Sequence, residues 1–540
     1  MPRGKIPTKA ELIQLQRLYK TDEKIAERLG GVSAQLVAYW RRKKNIARNS
    51  FPKFSQAEIQ EVWERFGDDY RCGLELGISK AAFYNWRRKY NLKDKPAFLK
   101  LEQLELNLGG PSRGVGKKFN YGGRTIAQKI IAERAGQEKV EIGETVTVEP
   151  DLALAHNTAS LVLRQFRESG LSYVWNPNRI VISLDQASSA ASSETAVAHK
   201  EIREFVKRQN IKHFYDVGEG VCHQLVVENG DILPGQLAVG TDIHTTSYGS
   251  IGAFAATIGM AEMAALWSSG RLSMTVPQTI SIAINGKVPR GVYARDVILF
   301  IVRNLTASRV EGTAIEFYGS IVSQMSISER FTLSHLSMDL GAVTAICPFD
   351  STTRRYFLGR TKMPYRPALA DKDALYEATF EFNINQIKPQ VALPDKADKV
   401  VDVVSLEGLP LNQIILGSCA NGRLDDLRIA ADIIKGKRIH PDIRMMIYPG
   451  SRGIYLEALK KGLIRAFVEA GALVMNPGCG PCPGNYQDIL APGERCLSTA
   501  ARKAGSAADS GGPEVYLVSP ATAAISAIKG VLTDPTGYVK

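Results

Sequence analysis

From Thr125 onward, short apolar runs at residues 180–184, 236–240, 279–284 and 413–416, most of them rich in Val and Ile, alternate with stretches such as 201–208 and 424–434, where apolar residues recur at helical spacing. Strand-like runs separated by amphipathic helices predict α/β layers with a largely parallel sheet. The first hundred residues follow another pattern. The run Leu29-Gly30-Gly31-Val32-Ser33-Ala34-Gln35-Leu36-Val37-Ala38-Tyr39-Trp40-Arg41-Arg42-Lys43-Lys44-Asn45-Ile46 returns as Leu76-Gly77-Ile78-Ser79-Lys80-Ala81-Ala82-Phe83-Tyr84-Asn85-Trp86-Arg87-Arg88-Lys89-Tyr90-Asn91-Leu92, one residue shorter at its turn. Each copy predicts a helix (22–29; 69–76) closed by glycine, then a second helix N-capped by Ser33 or Ser79. Leu36, Val37 and Trp40, and Phe83 and Trp86, form the apolar faces of the second helices, which end in basic clusters.

Charge sharpens that division. The net charge is +13, and 22 of the 68 Lys/Arg but only 11 of the 55 Asp/Glu fall in residues 1–100. The repeated unit resembles tandem helix-turn-helix modules, whose second helix enters the DNA major groove. On that resemblance Gln35, Ala38, Lys80 and Asn85 face bases. Arg41 and Arg42 with Lys43 and Lys44, and Arg87 and Arg88 with Lys89, contact phosphates. The other reading is a helical assembly or docking module with a solvated basic face, since basic side chains also suit helix C-termini. The expected boundaries are 1–48 and 51–98 for the two repeats and 99–122 for a linker, which is glycine-rich and basic at 109–118.

At 540 residues the chain has length for several domains, and its 44% hydrophobic and 23% charged content is that of a globular protein. No apolar run reaches the roughly 18 residues that span a bilayer, and the N-terminal residues lack the apolar stretch of a secretory signal. The seven cysteines are an odd number. Together these features predict a cytoplasmic protein with reduced thiols and a metal site rather than a disulfide framework.

The cysteines carry the chemistry. Cys419 lies in Gly417-Ser418-Cys419-Ala420-Asn421-Gly422-Arg423; Cys479 and Cys482 lie in Asn476-Pro477-Gly478-Cys479-Gly480-Pro481-Cys482-Pro483-Gly484. Three thiolates suit an iron–sulfur cluster whose fourth iron has no protein ligand, whereas a tetrahedral zinc site would want a fourth. Upstream, in order, stand Phe214-Tyr215-Asp216-Val217-Gly218-Glu219-Gly220-Val221-Cys222-His223-Gln224, Gly240-Thr241-Asp242-Ile243-His244-Thr245 and Gly312-Thr313-Ala314-Ile315-Glu316-Phe317. With the cysteine motifs and Ser498-Thr499, this series resembles the aconitase family, in particular the large subunits of 3-isopropylmalate dehydratase and homoaconitase, from about residue 123 to 535.

That resemblance implies a [4Fe-4S]-dependent hydro-lyase acting on a 2-hydroxy di- or tricarboxylic acid. It implies three α/β/α subdomains around the cluster, two over 123–399 and the cluster-binding third over 400–540. Motif by motif, it makes Cys419, Cys479 and Cys482 the cluster ligands, Asp185, His223, Asp242, His244 and Glu316 the catalytic set, and Arg502 and Ser498 the substrate contacts. Cys222, Cys347 and Cys496 read as core or near-site thiols. His156, His199, His213 and His440 read as ordinary polar residues. The chain departs from the family in the site itself: Asp185-Gln186 replaces an Asp-His pair, Ile243 replaces a serine, Ser334-His335 replaces Cys-Asn, and the loop over 500–507 keeps one arginine of two. Those changes point to an altered substrate. A separate small subunit with the swivelling domain is the expected partner, DNA a second one through residues 1–100. The rival reading is a degenerate aconitase-like, iron- or redox-sensing DNA-binding regulator.

Overall fold

The computed structural model describes residues 7–19, 21–30, 32–46, 54–66, 69–76, 78, 80–92, 123–156, 158–185, 190, 192–305, 309–394, 399–481, 490–501 and 512–539. Gln186, Ser79, Cys482, Arg502 and the 99–122 linker lie outside the described residues. The chain divides into two compact units, Met1–Gly110 and Pro111–Lys540.

In the first unit each repeat is a trio of helices rather than the expected pair: α1 (Lys9–Tyr19), α2 (Asp22–Leu29) and α3 (Ala34–Lys43), then α4 (Gln56–Phe66), α5 (Asp69–Glu75) and α6 (Lys80–Lys89). The extra helices start at reciprocal caps. The Thr8 N–H donates to Glu11 at 2.7 Å while the Glu11 N–H donates to the Thr8 hydroxyl at 3.3 Å, and Ser55 and Glu58 repeat the arrangement. Val37 and Trp40 are buried in the first repeat, and Ile59, Trp63, Cys72 and Phe83 in the second. Leu36, expected on the apolar face, is exposed.

The same internal clamp closes both repeats and corrects part of the expected DNA surface. The Arg41 guanidinium donates to the Asp22 carboxylate at 3.1 and 3.0 Å and to the Ile46 carbonyl at 3.3 Å. Arg87 does the same to Asp69 at 2.8 and 3.1 Å and to the Leu92 carbonyl at 2.8 Å. Both guanidinium groups are spent inside the repeat, so neither contacts phosphate. Gln35, Arg42, Lys80, Asn85 and Arg88 are exposed.

The second unit is built from three large sheets, with a two-stranded antiparallel ribbon of Thr145–Val148 and Leu272–Thr275 beside them. Strands β1 (Leu152–Ala155), β2 (Ile180–Ser183), β3 (His213–Tyr215), β4 (Leu237–Gly240) and β5 (Phe254–Thr257) form the first, in the order β3-β2-β1-β4-β5 and parallel throughout. The second, also parallel, orders β6 (Thr279–Asn285), β7 (Ala314–Tyr318), β8 (Thr344–Ile346) and β9 (Ala378–Asn383) as β8-β7-β6-β9. The third has β10 (Gln390–Ala392), β11 (Val400–Asp402), β12 (Gln413–Gly417), β13 (Arg444–Tyr448), β14 (Leu473–Val474), β15 (Arg495–Ser498) and β16 (Glu514–Leu517) in the order β11-β10-β16-β15-β12-β13-β14. Its five later strands are parallel; β10 runs antiparallel to both neighbours. Because β10 pairs with β16, the third sheet starts at residue 390, ten residues before the expected boundary. Strands such as β1, β2 and β4 are buried at every position, as sheets covered on both faces require. No described helix is long and apolar enough to cross a membrane.

Candidate active site

Parallel strands all deliver their carboxyl ends to one edge of a sheet, and the loops there are where α/β proteins gather reactive groups. Here His156 follows β1, Asp185 follows β2, Asp242 and His244 follow β4, and Cys419 follows β12. His223 is supplied by the first turn of a short helix, α7 (Cys222–Glu228).

Asp242 is the centre of the acid–base group. It N-caps a 3-10 helix, Ile243–Ile251, and its Oδ1 accepts from the His244 N–H at 2.8 Å, His244 Nδ1 at 3.0 Å and His223 Nε2 at 3.0 Å. His156 approaches the other side: Nε2 is 3.2 Å from Asp242 Oδ2 and Nδ1 is 3.8 Å from Asp185 Oδ1, ionic contacts rather than in-line hydrogen bonds. Three imidazoles thus share one carboxylate. Burial by itself would raise the Asp242 carboxyl, but the close contact with His156 and the hydrogen bonds from His223 and His244 outweigh it and hold the group well below the usual range.

The rings differ in charge state. Burial opposes protonation of His156, yet Asp242 and Asp185 overcome it and raise its pKa. For His223 burial prevails over Asp242, and its pKa falls. With Nε2–H given to Asp242, neutral His223 accepts at Nδ1 from the Tyr248 hydroxyl, 3.2 Å away; burial pushes that phenol well up, so it keeps its proton. The sequence reading missed His156. Its only signal was position, directly after an apolar strand, as for Asp185 and Asp242.

Asp185 links this group to the cysteines. Its Oδ2 accepts from the Cys222 N–H at 2.8 Å and lies 4.0 Å from Cys479 Sγ, and its carbonyl accepts from the Cys479 N–H at 3.3 Å. Asp185 Oδ1 is buried without a hydrogen bond. Neighbouring backbone also stitches the first and third sheets together. The Val221 N–H donates to Gly450 O at 2.8 Å, Gly220 bridges Ser451, and the Arg452 N–H reaches Glu219 O at 2.8 Å.

Cys419 sits on a sharp turn from β12 into a one-turn helix. Gly417 and Ser418 both have positive φ, +118° and +65°. A Cβ at Gly417 would strike the Tyr448 backbone, and one at Gly480 (φ +65°) would come within 3.0 Å of the Tyr448 ring. Both cysteine turns therefore pack on Tyr448. The Ser418 hydroxyl joins them, 3.8 Å from Cys419 Sγ and donating to Cys479 O at 2.7 Å. The buried Arg423 guanidinium donates to Cys419 O at 3.0 Å and to the Thr332 hydroxyl at 2.8 Å, placing positive charge beside the sulfur. Two buried cysteines, a nearby guanidinium and an unsatisfied carboxylate oxygen fit a soft, thiolate-held group. His223, Asp242 and His244 also bring ligand-type atoms within 4.8 Å of one another, but the carboxylate already accepts from both rings, as in a hydrogen-bonded network rather than an open ligand set.

Two expected site residues are occupied otherwise. Glu316, in mid-strand on β7, is fully buried and accepts from the Ile126 N–H at 2.7 Å, the Ala127 N–H at 3.4 Å and the Tyr318 and Tyr376 hydroxyls at 2.6 and 2.8 Å. It caps the helix Ile126–Ala135 instead of joining the imidazoles. The buried Ser498 hydroxyl accepts from the Ala500 N–H at 3.0 Å, shaping the turn beyond β15. Cys347 and Cys496 are core thiols whose pKa burial raises, Cys347 to about 11. Burial raises Cys222 too, so it stays a thiol.

Against known proteins, the model of the aconitase family (aconitate hydratase) matches residues 128–407 and 403–530. The chain belongs to the aconitase family. The Methanopyrus kandleri 3-isopropylmalate dehydratase large subunit 1 is 42% identical over 418 residues, 77% of this chain and 100% of that one. A probable methanogen homoaconitase large subunit from Methanosarcina mazei is 41% identical over 386 residues, 71% and 98% of the respective chains. The Moorella thermoacetica 3-isopropylmalate dehydratase large subunit is 38% identical over 420 residues, 77% of this chain and 100% of its own. The aconitase-family match begins beyond the first unit, so residues 1–110 are an addition to the family body.

Proposed function

We propose that this chain is the large subunit of a [4Fe-4S]-dependent hydro-lyase, which removes water from a 2-hydroxy di- or tricarboxylic acid of the isopropylmalate or homocitrate type, or an altered analogue, and adds it back. The observation that carries this is the single carboxylate, Asp242, serving His156, His223 and His244 within reach of the Asp185–Cys479 link. Cys419, Cys479 and Cys482 would hold the cluster, which supplies a Lewis-acidic iron with an open position. Asp242 keeps His223 and His244 in fixed orientations, with Nδ1–H of His244 on the carboxylate, so that Nε2 is the atom through which His244 exchanges a proton. His156, favoured as the imidazolium by two carboxylates, can give a proton to a departing hydroxyl. A small swivelling-domain subunit, implied by the relatives' designation as large subunits, would complete the site, and Arg502 would grip a substrate carboxylate.

The test is anaerobic reconstitution with iron, sulfide and the small subunit, then a screen of 2-hydroxy acids for alkene absorbance. Turnover of at least one acid is expected. A colourless, zinc-loaded protein, or no turnover from a fully loaded cluster, overturns the reading. The assembled acid–base group favours catalysis over the sensing regulator.

A second role belongs to the first unit. Helices α3 and α6 contain no acidic residue and expose Gln35, Tyr39, Arg42 and Lys43, and Lys80, Tyr84, Asn85, Arg88 and Lys89. An acid-free basic face interleaved with aromatic and amide side chains supports duplex DNA binding in the helix-turn-helix manner, with Arg42 and Arg88 on phosphates. The full chain should bind duplex DNA with an affinity that falls steeply as salt rises, and deletion of residues 1–100 should abolish it. Equal retention by both forms would sink this role.

A further inference from the structure

His335 stands apart from the machinery described above, yet its ring lies almost parallel to that of His244, with centroids 4.2 Å apart and 9° between planes. It projects from the helix Ile327–Leu336 and is fully buried. Its other neighbour is Phe331, stacked at 5.9 Å, and over Phe331 lies the Arg423 guanidinium, 4.6 Å from the ring centre. Arg423, Phe331, His335 and His244 thus form a column ending on an acid–base imidazole.

Ser247 fixes the state of His335. The Ser247 hydroxyl donates its one proton to the His244 carbonyl at 2.5 Å, so its oxygen can only accept from His335 Nδ1, 2.7 Å away. His335 is therefore the Nδ1–H tautomer. The groups facing it are His244, His223, Arg423 and Asp242. Burial, then His244, His223 and Arg423, push its pKa well below the usual histidine value, with Asp242 opposing. A neutral ring at this distance offers its π face to an imidazolium at His244, whereas a charged one would repel it.

We propose that His335 is a positioning residue for His244: wedged between Phe331 and His244 and tied through Ser247 to the His244 backbone, it sets the plane of the His244 ring. Held so, His244 keeps Nδ1 on Asp242 and points Nε2 in one direction. This rests on the hydro-lyase reading for its catalytic consequence, though the stack itself does not depend on turnover.

The test uses the full-length chain reconstituted with its small subunit, as wild type, His335→Ala, His335→Phe and Ser247→Ala. His335→Ala should lower kcat about 10- to 100-fold with KM within about two-fold, because misplacement of a proton-transfer group acts on the reaction rather than on binding. His335→Phe keeps a ring in the column and should recover to within several-fold of wild type. In ¹³C-histidine-labelled protein, the His244 ring-proton signal should sit upfield in wild type and His335→Phe and move downfield in His335→Ala. Unchanged kcat and signal in His335→Ala, a parallel change in KM and kcat, or His335→Phe as impaired as alanine would overturn the proposal. Should the alanine variant fail to fold, the phenylalanine variant and Ser247→Ala decide. A several-fold fall in kcat at constant KM for Ser247→Ala with near-normal His335→Phe supports the stack, and silence from Ser247→Ala with a crippled His335→Phe refutes it. A wild-type chain that turns over no acid yet shows the upfield signal would fail the hydro-lyase reading alone.

Discussion

Replacing Asp242 with asparagine keeps the side chain's size but removes the charge that two rings donate to and a third pairs with. We expect kcat to fall by about 10²-fold or more, the scale of a lost general acid–base group, measured on whichever acid the screen identifies. His156 and His223 should also leave opposite marks on stability. His156 titrates higher in the folded chain than in the unfolded one, so its contribution is complete below the unfolded value, about 6.5, and is lost as pH rises through the folded value. His223 is shifted down, so its neutral form is the one folding favours, and its contribution fades as pH falls. Thermal melts of His156→Gln should therefore approach wild type as pH rises, and those of His223→Gln as pH falls; parallel gaps across pH 5–9 would contradict both. At this scale the sequence exposed the motif residues Asp185, His223, Asp242 and His244, because each sits in a recognisable run. His156 carried no run of its own, and Glu316 lay in one whose placement alone could not reveal that backbone amides and two phenols claim its oxygens.

Glu316 also acts on an element. Its carboxylate closes the start of the helix Ile126–Ala135, so Glu316→Ala should cost roughly 2–3 kcal/mol in urea unfolding by orphaning buried donors, while the folded fraction retains its kcat. In the first unit, Arg41→Ala should destabilise its repeat by roughly 1–3 kcal/mol, the worth of a charged hydrogen-bond pair to Asp22, without altering the salt slope of DNA binding. Arg42→Ala should do the reverse, lowering the slope by about one with little change in the melt. Both arginines belong to one basic cluster in the sequence; only the turn of the helix sends one inward and its neighbour out. The helices α1 and α4 could have been found from Thr8-x-x-Glu11 and Ser55-x-x-Glu58. The start of the third sheet could not: β10 is three residues long, flanked by Pro389 and Pro394, and reads as a connection until its partners in β11 and β16 are seen.

Across the whole molecule, the two units divide at Gly110–Pro111, inside the stretch expected to be a linker, and alternation of apolar runs with amphipathic stretches marked the parallel sheets, because burial on both faces leaves little freedom of composition. Removal of residues 1–122 should accordingly leave kcat of the reconstituted enzyme within about two-fold, a loss beyond ten-fold showing that the addition serves catalysis. The chemistry itself is divided between layers. The imidazoles come from the first sheet's loops and α7, Cys419 from the third, and what spans them is Asp185 with Cys222 and Cys479, the Gly220–Ser451 bridge and the backbone beside it. Such a centre behaves as a joint: a rotation of a few degrees between the layers would pull proton donors away from thiols while each half stayed perfectly folded. Activity can thus vanish with no visible loss of structure, and mutations at the seam should silence the protein long before they unfold it.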